Sequence, residues 1–380
     1  MAHTSTELDD HIRQALESAA PPRPKNPRPI IVIGAGGIIR DAHLPAYAKA
    51  GFPVIAIADA MPGKAAELMC NPAISTEKTR SFESVSEAVS FAPPDAVFDI
   101  AVPAGQLLTI LPQLPDAAAV LMQKPMGNTL EEARAIRDLC RAKRLTAAVN
   151  FQLRFAPNNL AAQALARHGL MGDIHDMEVQ IRCYMPWQLW TFLSTAPRLE
   201  ILYHSIHYLD LVRSWFGNPL GVYAKTVRNP QTPSLAATRS SIILDYGEWK
   251  RSFVVTTHGH DLSEQHQQSF VQWEGTGGAM RMVMGVNLDY PTGKPDTLHY
   301  IDREPGQGAN DLQRTWKPIP ITGNWFPDAF IGSMGSLQAY AEGSAADLPT
   351  HYESAYQTMA LVEAAYRSSA RDAEPVPIDD

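Results

Sequence analysis

A glycine-rich turn between a buried strand and a helix constrains the fold of this chain more than any other part of its sequence. Residues 29–34 read Pro-Ile-Ile-Val-Ile-Gly, a continuous apolar run typical of a strand that is buried on both faces. The turn Gly34-Ala35-Gly36 follows, and a helical pattern then runs to Gly51. Such a turn presents the free N–H groups and the positive dipole end of a helix to a pyrophosphate. The segment therefore predicts a dinucleotide-binding strand–turn–helix unit.

The residues around this turn have separate predicted roles. Gly34 permits the tight turn and Gly36 lets the backbone approach the anion, whereas Ile39 stands where a third glycine would allow close helix–sheet packing. Asp59 ends the second strand, where a carboxylate binds the ribose hydroxyls and repels a 2′-phosphate, so NAD is favoured over NADP. The predicted cofactor-binding residues are Gly34, Ala35, Gly36, Gly37, Ile38, Asp59, Val102, Pro103, Gln123 and Lys124.

Strand and helix patterns alternate up to about residue 150, and successive strands then replace them. The alternation predicts a parallel sheet with right-handed crossovers, which is a Rossmann dinucleotide-binding domain of the α/β class. Strand-like runs that follow one another between 221 and 285 predict a C-terminal α+β domain with a mainly antiparallel sheet. The predicted divisions are an N-terminal arm at 1–28, an NAD-binding domain at 29–150, a substrate and oligomerisation domain at 151–380, an irregular stretch at 284–325, and closing helices near 327–342 and 352–370.

The arm combines an amphipathic helical pattern over 4–20 with a proline-rich stretch that ends it. It carries too little apolar surface to fold alone. We therefore expect it to pack on the body of its own chain or on a partner subunit.

Composition excludes several classes of protein. The formal net charge is −8 and no long basic cluster occurs, which argues against nucleic acid or an anionic membrane as the partner. No apolar run approaches the roughly 18–20 residues of a membrane helix, and the N-terminus lacks a signal-peptide pattern. Cys70, Cys140 and Cys183 are too widely spaced for a disulfide framework or a zinc knuckle. We expect a cytoplasmic protein with no nucleic-acid and no membrane partner.

Four further motifs, with the glycine turn, resemble the Gfo/Idh/MocA oxidoreductase family over about residues 30–369. The resemblance implies an open-faced second sheet, a homodimer or homotetramer, and hydride transfer between a nicotinamide cofactor and a carbon of a sugar, sugar acid or polyol. Two alternatives stay open: an NAD-retaining enzyme that uses transient oxidation for glycoside cleavage or isomerisation, and a non-catalytic NAD sensor. The motifs are MQKPMGNTLEEA at 122–133, NFQLRFAP at 150–157, HSIHYLDLVRSWFG at 204–217 and VEAAYRSSA at 362–370.

Lys124 is the predicted catalytic cation. A lysine at the C-terminal end of a parallel strand points into the cofactor crevice, where its charge stabilises a developing alkoxide. The resemblance implies that a cis bond to Pro125 aims this lysine, and that Gln123 replaces a family glutamate. It also makes His207 the proton acceptor, which suits an imidazole. The resemblance places an aspartate where Tyr203 stands, so the Tyr203 phenol either takes part in the chemistry or shapes the pocket. The predicted catalytic residues are Lys124, His207, Tyr203 and His204.

Glu200, His204 and His207 follow a spacing of i, i+4 and i+7, which predicts one shared face of an α-helix. Three interpretations stay open: a hydrogen-bonded catalytic cluster, histidines at structural contacts, and a divalent metal site. The sequence alone assigns no metal to them. Asp210, one turn further on, either orients a histidine or takes part in packing. His258 lies on a strand-like run and is given no role in the site.

Aromatic residues after the first strand of the second half are candidates for a substrate wall, because ring faces pack on sugar C–H surfaces. Subunit or core packing is the alternative. Arg154 is expected either to bind an anionic or hydroxyl-rich substrate or to form an interdomain ion pair. The predicted substrate-binding residues are Lys124, Arg154, Tyr184, Trp187, Glu200, His204 and His207.

Overall fold

The computed structural model describes residues 5–74, 78–260, 262–303 and 315–375, and it arranges them around two β-sheets. Two segments are π-helical, Ile39–His43 and Glu200–Ser205. The helices and strands are α1 (Ser5–Leu16), β1 (Ile30–Ile33), α2 (Leu44–Ala50), β2 (Val54–Ala58), α3 (Lys64–Leu68), β3 (Arg80–Phe82), α4 (Val85–Phe91), β4 (Val97–Ile100), α5 (Leu107–Ile110), β5 (Ala119–Met122), α6 (Leu130–Ala142), β6 (Thr146–Val149), α7 (Pro157–Arg167), β7 (Ile174–Cys183), α8 (Ile206–Phe216), β8 (Gly221–Val227), β9 (Arg239–Asp245), β10 (Arg251–His258), β11 (Gln268–Gly275), β12 (Gly278–Val283), β13 (Thr297–Asp302), β14 (Lys317–Pro318), α9 (Trp325–Ala341) and α10 (Tyr352–Ser369).

The first sheet has the strand order of a Rossmann fold. Across the described ranges it comprises six parallel strands in the order β3-β2-β1-β4-β5-β6. Strand β1 is buried along its length, with Ile31 and Ile33 facing one apolar cluster and Ile30 and Val32 facing the other. The strand order reverses between β1 and β4, where an open α/β sheet forms its ligand crevice. The predicted Rossmann domain is confirmed.

The second sheet is mixed but mainly antiparallel, as predicted. Its eight strands, counted over the described residues, run β14-β13-β12-β11-β7-β10-β9-β8, and the pair β7–β10 is parallel. Helices α8 and α10 pack on its inner face. The outer face is open, and it carries exposed apolar residues such as Tyr223 (66% exposed) and Ile243 (54% exposed).

The stretch 284–325 is not irregular throughout, so that prediction is wrong in part. Strands β13 and β14 lie within it and extend the second sheet beyond β12. In β13, Leu298 and Tyr300 are buried while Thr297 and His299 are partly exposed, the alternation of a half-buried strand. The glycine, proline and aspartate residues around β13 masked this short pattern. Residues 304–314 of the stretch lie outside the described residues.

Helix α9 packs against the first sheet although it lies near the end of the chain. Four of its side chains join the apolar cluster that contains Ile30 and Val32 of β1. Helix α10 packs on both α6 and β8, so it joins elements of the two sheets. The Rossmann sheet is therefore completed by residues that follow its last strand by 176 positions in sequence, from Val149 to Trp325. The four side chains are Phe330, Ile331, Met334 and Leu337.

The N-terminal arm packs on the body of its own chain. Leu8 and Ile12 are buried where α1 contacts α7. The extended segment that follows is held by α9 and the residue after it: Lys25 N donates to Glu342 Oε1 at 2.7 Å, and Arg28 N donates to the Gln338 side chain at 2.8 Å. These contacts bear out the first of the two expected docking modes.

Of the helices in the described ranges, none combines the length and the apolar character that crossing a bilayer requires.

Candidate active site

The glycine turn has the geometry that a dinucleotide requires. Gly34 adopts a φ of +101°, and a Cβ atom there would lie 2.4 Å from Ala101 O, so neither the conformation nor the space admits a side chain. A Cβ atom on Gly36 would meet nothing within 4 Å, which leaves its backbone open to a ligand. Val102, at the end of β4, borders the turn, because its Cγ1 would lie 3.1 Å from the same notional Gly34 Cβ.

The helix after the turn begins in a π-helical form, as an adjustment for the missing third glycine. Ile39 is fully buried at its start, and the segment Ile39–His43 passes directly into α2. Pro45 occupies the first turn of α2 and has no N–H to donate to the carbonyl of Asp41. The π-helical form accommodates both the bulk of Ile39 and the missing hydrogen bond.

Asp59 lies against the glycine turn, at the end of β2 where it was predicted. Its Oδ2 accepts the backbone N–H of Ala35 at 2.7 Å, and its Oδ1 accepts that of Met61 at 2.9 Å. The carboxylate is therefore fixed beside the turn, in the position from which an acid meets the adenosine ribose.

Lys124 extends from the end of β5 toward the π-helical segment of the second half. The Lys124–Pro125 bond is cis, as the resemblance implied. Its Nζ donates to the backbone carbonyl of Tyr203 at 2.8 Å, while Gln123 Oε1 accepts its backbone N–H at 3.1 Å. Burial lowers the pKa of the Lys124 ammonium to about 8. The cation therefore loses its proton close to the physiological range.

A capping box holds the loop that follows Lys124. Thr129 Oγ1 accepts the N–H of Glu132, and the Glu132 carboxylate reaches back to the N–H of Asn128 at 2.7 Å. Gly127 has a φ of +90°, and a Cβ atom on it would lie 2.8 Å from Glu132 Cβ. The loop is thus fixed to the start of α6, and Lys124 with it.

The Tyr203 phenol binds this loop. Its OH donates to Asn128 Oδ1 at 3.0 Å, and burial, followed by the charge of Glu132, raises the pKa of the phenol. Because the phenol stays neutral and hydrogen-bonded to Asn128, the structure favours the second of its two expected roles, in which it shapes the pocket.

His207 lies in the first turn of α8 and is 8% exposed. Burial lowers the pKa of its imidazole well below the usual value, and the nearby charges of Lys124 and His258 lower it further. Its Nδ1 is buried and has no hydrogen-bond partner in the described part of the protein. A neutral imidazole with a free nitrogen is able to accept a proton.

Glu200, His204 and His207 do not share one face of an α-helix, and that prediction is wrong. Glu200 and His204 lie in the π-helical segment Glu200–Ser205, whereas His207 belongs to the α-helix after it. The change of helical form alters the angular spacing, so His258 of β10 takes the place expected for His207.

The resulting cluster consists of Glu200, His204 and His258. His258 Nδ1 lies 2.9 Å from Glu200 Oε1 and 3.1 Å from Oε2, and the two imidazole rings stack with centroids 4.1 Å apart. Burial opposes a proton on His258, but the Glu200 carboxylate and the Cys183 side chain together outweigh it and raise the pKa of His258 to about 10. Burial, then the charges of His258 and Lys124, lower the pKa of His204 well below its usual value. A proton on this cluster therefore resides on His258.

The predicted aromatic wall divides into two parts. Trp187 packs edge-on against His204 with ring centroids 5.3 Å apart, so it borders the histidine cluster. Tyr184 is 50% exposed, and its backbone N–H donates to Gln267. The structure therefore brings Trp187, but not the Tyr184 ring, into contact with the candidate site.

Arg154 forms an ion pair, but with residues of its own half of the chain, so the expectation of an interdomain pair is wrong. Its guanidinium donates to both carboxylate oxygens of Asp210 at 2.6 and 2.8 Å and to Pro349 O at 3.0 Å. Asp210 also accepts the Thr358 hydroxyl, so it contributes to packing and orients no histidine. Arg154 lines a groove of about 800 Å³ that is bordered by the arm, away from Lys124.

Two residues of the site were missed by sequence reasoning. His258 reaches the cluster through the parallel pairing of β10 with β7, which no local pattern reveals. Asn128 or Thr129 is expected from the sequence to cap α6; Thr129 is the cap, and Asn128 binds Tyr203. Asn128 belongs to the motif that contains Lys124, and this motif was a signal for it. No sequence signal pointed to His258.

Comparisons with known proteins agree with this geometry. A model of an oxidoreductase family with an NAD-binding Rossmann fold matches residues 29–151. The D-apiose dehydrogenase of Paraburkholderia graminis is 24% identical over 265 residues, which make up 68% of this chain and 66% of that enzyme, slightly less than two thirds of its length.

Two solved structures share the fold at low identity. An oxidoreductase from Agrobacterium radiobacter, solved with NAD⁺, L-tartaric acid and magnesium, is 20% identical with a TM-score of 0.72, over 91% of this chain and 97% of that one. The WlbA dehydrogenase of Bordetella pertussis, solved with NADH and UDP-GlcNAcA, is 18% identical with a TM-score of 0.66, over 93% of this chain and 100% of that one. At these identities the likeness extends to the fold alone.

Replacing Arg154 by methionine is expected to lower the free energy of unfolding by about 3 kcal/mol, because it leaves the buried Asp210 carboxylate without its main partner. Arg213, 3.8 Å from Asp210, keeps the loss at the lower end of the range for such pairs. Denaturant unfolding measures it. Arg251→Met is the control, because its pair with Asp176 leaves Arg251 67% exposed and is worth at most about 1 kcal/mol. Unchanged stability with a raised KM would instead assign Arg154 to substrate binding.

Proposed function

We propose that this protein is an NAD-dependent oxidoreductase acting on a carbon of a sugar, sugar acid or polyol, because residues 29–151 match the model of the Gfo/Idh/MocA oxidoreductase family with its NAD-binding Rossmann fold. The observation that carries the proposal is the placement of Lys124. Its ammonium lies at the end of β5, on the same edge of the sheet as the glycine turn, and within electrostatic reach of His207. A cation and a neutral base beside a dinucleotide site are what alcohol oxidation requires.

The chain's own residues fit an NAD molecule at the glycine turn. The open backbone at Gly36 receives the pyrophosphate, and Asp59 receives the ribose hydroxyls. Bound there, the nicotinamide supplies the acceptor or donor of hydride. Val102, Pro103 and Gln123 follow β4 and β5 and border the nicotinamide side of the crevice.

Lys124 polarises the reacting oxygen. An ammonium has three N–H donors, and one of them is engaged by the carbonyl of Tyr203. The remaining donors stabilise the alkoxide that forms as the hydroxyl proton is removed, before hydride transfer converts it into a carbonyl, and they align the carbon with the cofactor.

His207 takes the proton of the substrate hydroxyl during oxidation and returns it during reduction. Its lowered pKa keeps the imidazole neutral, and therefore able to accept, at neutral pH. Trp187 and His204 border the same crevice and contact the remainder of the substrate. The names of the relatives, with apiose and a nucleotide sugar among them, support a sugar-like substrate.

We propose that the halves of the chain that contain the two sheets have different functions. Residues 29–150 bind the cofactor, 151–380 supply the substrate site and the subunit contact, and the arm at 1–28 braces α7 and α9. A homodimer or homotetramer would bury the open face of the second sheet, where Tyr223, Ile243 and Phe253 are cross-strand neighbours. The free thiols of Cys70, Cys140 and Cys183 support a cytoplasmic location.

The Lys124→Met variant tests the function. It is expected to bind NADH as the wild type does but to lower kcat for carbonyl reduction by about 10²–10³-fold, because the alkoxide loses its cation. For alcohol oxidation by the wild type, in which neutral His207 is the base, kcat/KM should fall about tenfold per pH unit above about pH 8, where the Lys124 ammonium loses its proton. Lys124→Arg should remove that decline, because a guanidinium stays protonated. The absorbance of NADH, followed in a screen of sugars, sugar acids and polyols, measures these rates; wild-type turnover by Lys124→Met would contradict the proposal.

The preference for NAD is expected to depend on the charge of Asp59. The Asp59→Asn variant keeps an acceptor for the Ala35 N–H but removes the repulsion of a 2′-phosphate. The ratio of the Kd for NADPH to that for NADH should fall at least about tenfold, as measured by fluorescence titration. Asp95→Asn, before β4 at the opposite edge of the sheet, is the control and should leave the ratio unchanged. An unaltered ratio in Asp59→Asn would remove this carboxylate from cofactor selection.

A charge on the open sheet face is expected to weaken the oligomer. Ile243→Lys places an ammonium among apolar neighbours that a subunit interface would desolvate. Sedimentation equilibrium should then show a smaller species than the wild type. Ala142→Lys, at the exposed end of α6, is the matched control. Equal masses for the two variants would place the subunit contact elsewhere.

A further inference from the structure

We propose that Glu200, His204 and His258 form a binding site for a divalent metal ion of borderline softness, with Zn²⁺ as the best fit. The three side chains come from the π-helical segment and from the end of β10. Two imidazoles with one carboxylate are a ligand set that zinc sites use.

The ligand atoms are already at the spacing that a metal ion imposes. In a tetrahedral site with bonds of about 2.0–2.1 Å, neighbouring ligand atoms lie about 3.3 Å apart. Here His258 Nδ1 is 2.9 Å from Glu200 Oε1, and His204 Nδ1 is 3.8 Å from Glu200 Oε2. One ligand atom from each of the three residues falls within 4.8 Å of the others. Side-chain rotations are sufficient to equalise these distances.

The unsatisfied nitrogen of His204 is a second, independent indication. His204 Nδ1 is buried and has no hydrogen-bond partner among the described residues, although it faces the Glu200 carboxylate. A buried imidazole nitrogen without a partner costs free energy, and coordination of a cation removes that cost. The His204 and His258 rings stack with an interplanar angle of 18°, so a common ligand requires one of the two rings to rotate out of the stack.

Glu200 is oriented by a second shell. Ser205 Oγ donates to Glu200 Oε1 at 3.2 Å and is itself within 3.0 Å of Thr256 Oγ1. Metal sites depend on such outer contacts to fix the direction of a carboxylate. The buried thiol of Cys183 is in register with His258 on the neighbouring strand, and a sulfur atom beside the site favours zinc over magnesium.

Charge favours a dication at this place. Glu200 contributes one negative charge and is 1% exposed, and a metal ion that displaces the proton of His258 meets a ligand set with a net charge of −1. Without a metal, the same atoms form a Glu200–His258 ion pair with His204 stacked on it. The two states differ in whether a proton or a cation bridges the carboxylate and the imidazole.

Three protein ligands leave at least one coordination position open, as in catalytic zinc sites. Lys124 Nζ is 2.8 Å from the carbonyl of Tyr203, the residue directly before His204. An oxygen-rich ligand at the open position therefore lies near the lysine ammonium as well. This consequence rests on the proposed function, whereas the metal site itself does not.

Metal titration of the full chain tests the proposal. Protein purified through a tag without histidines is stripped by a chelator, and Zn²⁺, Mn²⁺ and Mg²⁺ are added separately in calorimetric titrations, with elemental analysis of the dialysed complex. The expected result is one equivalent of Zn²⁺, weaker Mn²⁺ and no Mg²⁺. Substituted Co²⁺ should give the visible absorption of a site with nitrogen ligands.

The variants Glu200→Gln, His204→Gln and His258→Gln are each expected to weaken Zn²⁺ binding by at least about 100-fold. His207→Gln, on the next helical turn, and His175→Gln, at the far end of β7, are matched controls that should stay within about twofold. Circular dichroism and NADH binding show that each variant is folded. Zn²⁺ binding that is absent from the wild type, unaffected by the three variants, or dependent on His207 instead of His258 would overturn the proposal.

The metal titration and the hydride-transfer assay test the two proposals independently, so one proposal can be wrong while the other holds. Metal binding is measured without substrate, so it stands or falls whether or not the protein oxidises a sugar. Conversely, Lys124→Met tests hydride transfer and is expected to bind Zn²⁺ like the wild type, because Lys124 contributes no ligand.

Discussion

The hydrogen bond between the Lys124 ammonium and the Tyr203 carbonyl is the interaction on which the arrangement of the site depends. It connects the end of a Rossmann strand to the π-helical segment of the second half across 2.8 Å. A buried ammonium requires such a partner, because an unpaired charge in a desolvated place costs several kcal/mol. The same contact that satisfies the charge also fixes the distance between the cofactor crevice and the histidines. One hydrogen bond therefore sets both the position of Lys124 and the partner of its charge.

Much of the fold could be predicted from sequence, because its determinants are local. The apolar run before Gly34, the cap at Thr129 and the alternating strands after residue 221 each act within a few neighbouring residues. Strands β3 and β14, of three and two residues, are too short for any periodicity to reveal. Helix α4 was also overlooked, and strand β13 was obscured by the glycine and proline residues around it. These elements depend on neighbouring strands that sequence does not specify.

The sequence predicted those site residues whose positions depend on their neighbours along the chain. Lys124 and Asp59 lie where the strand ends place them, because a strand end in a parallel sheet fixes its own edge. The grouping of Glu200 with His204 survived as well, since four residues separate them in either form of helix. His258 could not be found, because strand pairing brings it there from 58 residues away. His207 was misplaced because a π-helical turn is invisible in the spacing of residues.

Helix α9 closes one face of the Rossmann sheet with side chains that cluster on Ile30 and Val32. Residues such as Leu44 and Tyr47 of the nucleotide-binding half cover part of this face, but its native packing is complete only after α9 has been synthesised. A gene fragment that encodes residues 29–151 would lack α9 and would expose the apolar side chains that α9 covers on β5 and β6, such as Leu121 and Ala148. The two halves of the chain therefore depend on each other for their packing, because recombination between them would separate the first sheet from the helix α9 that covers it.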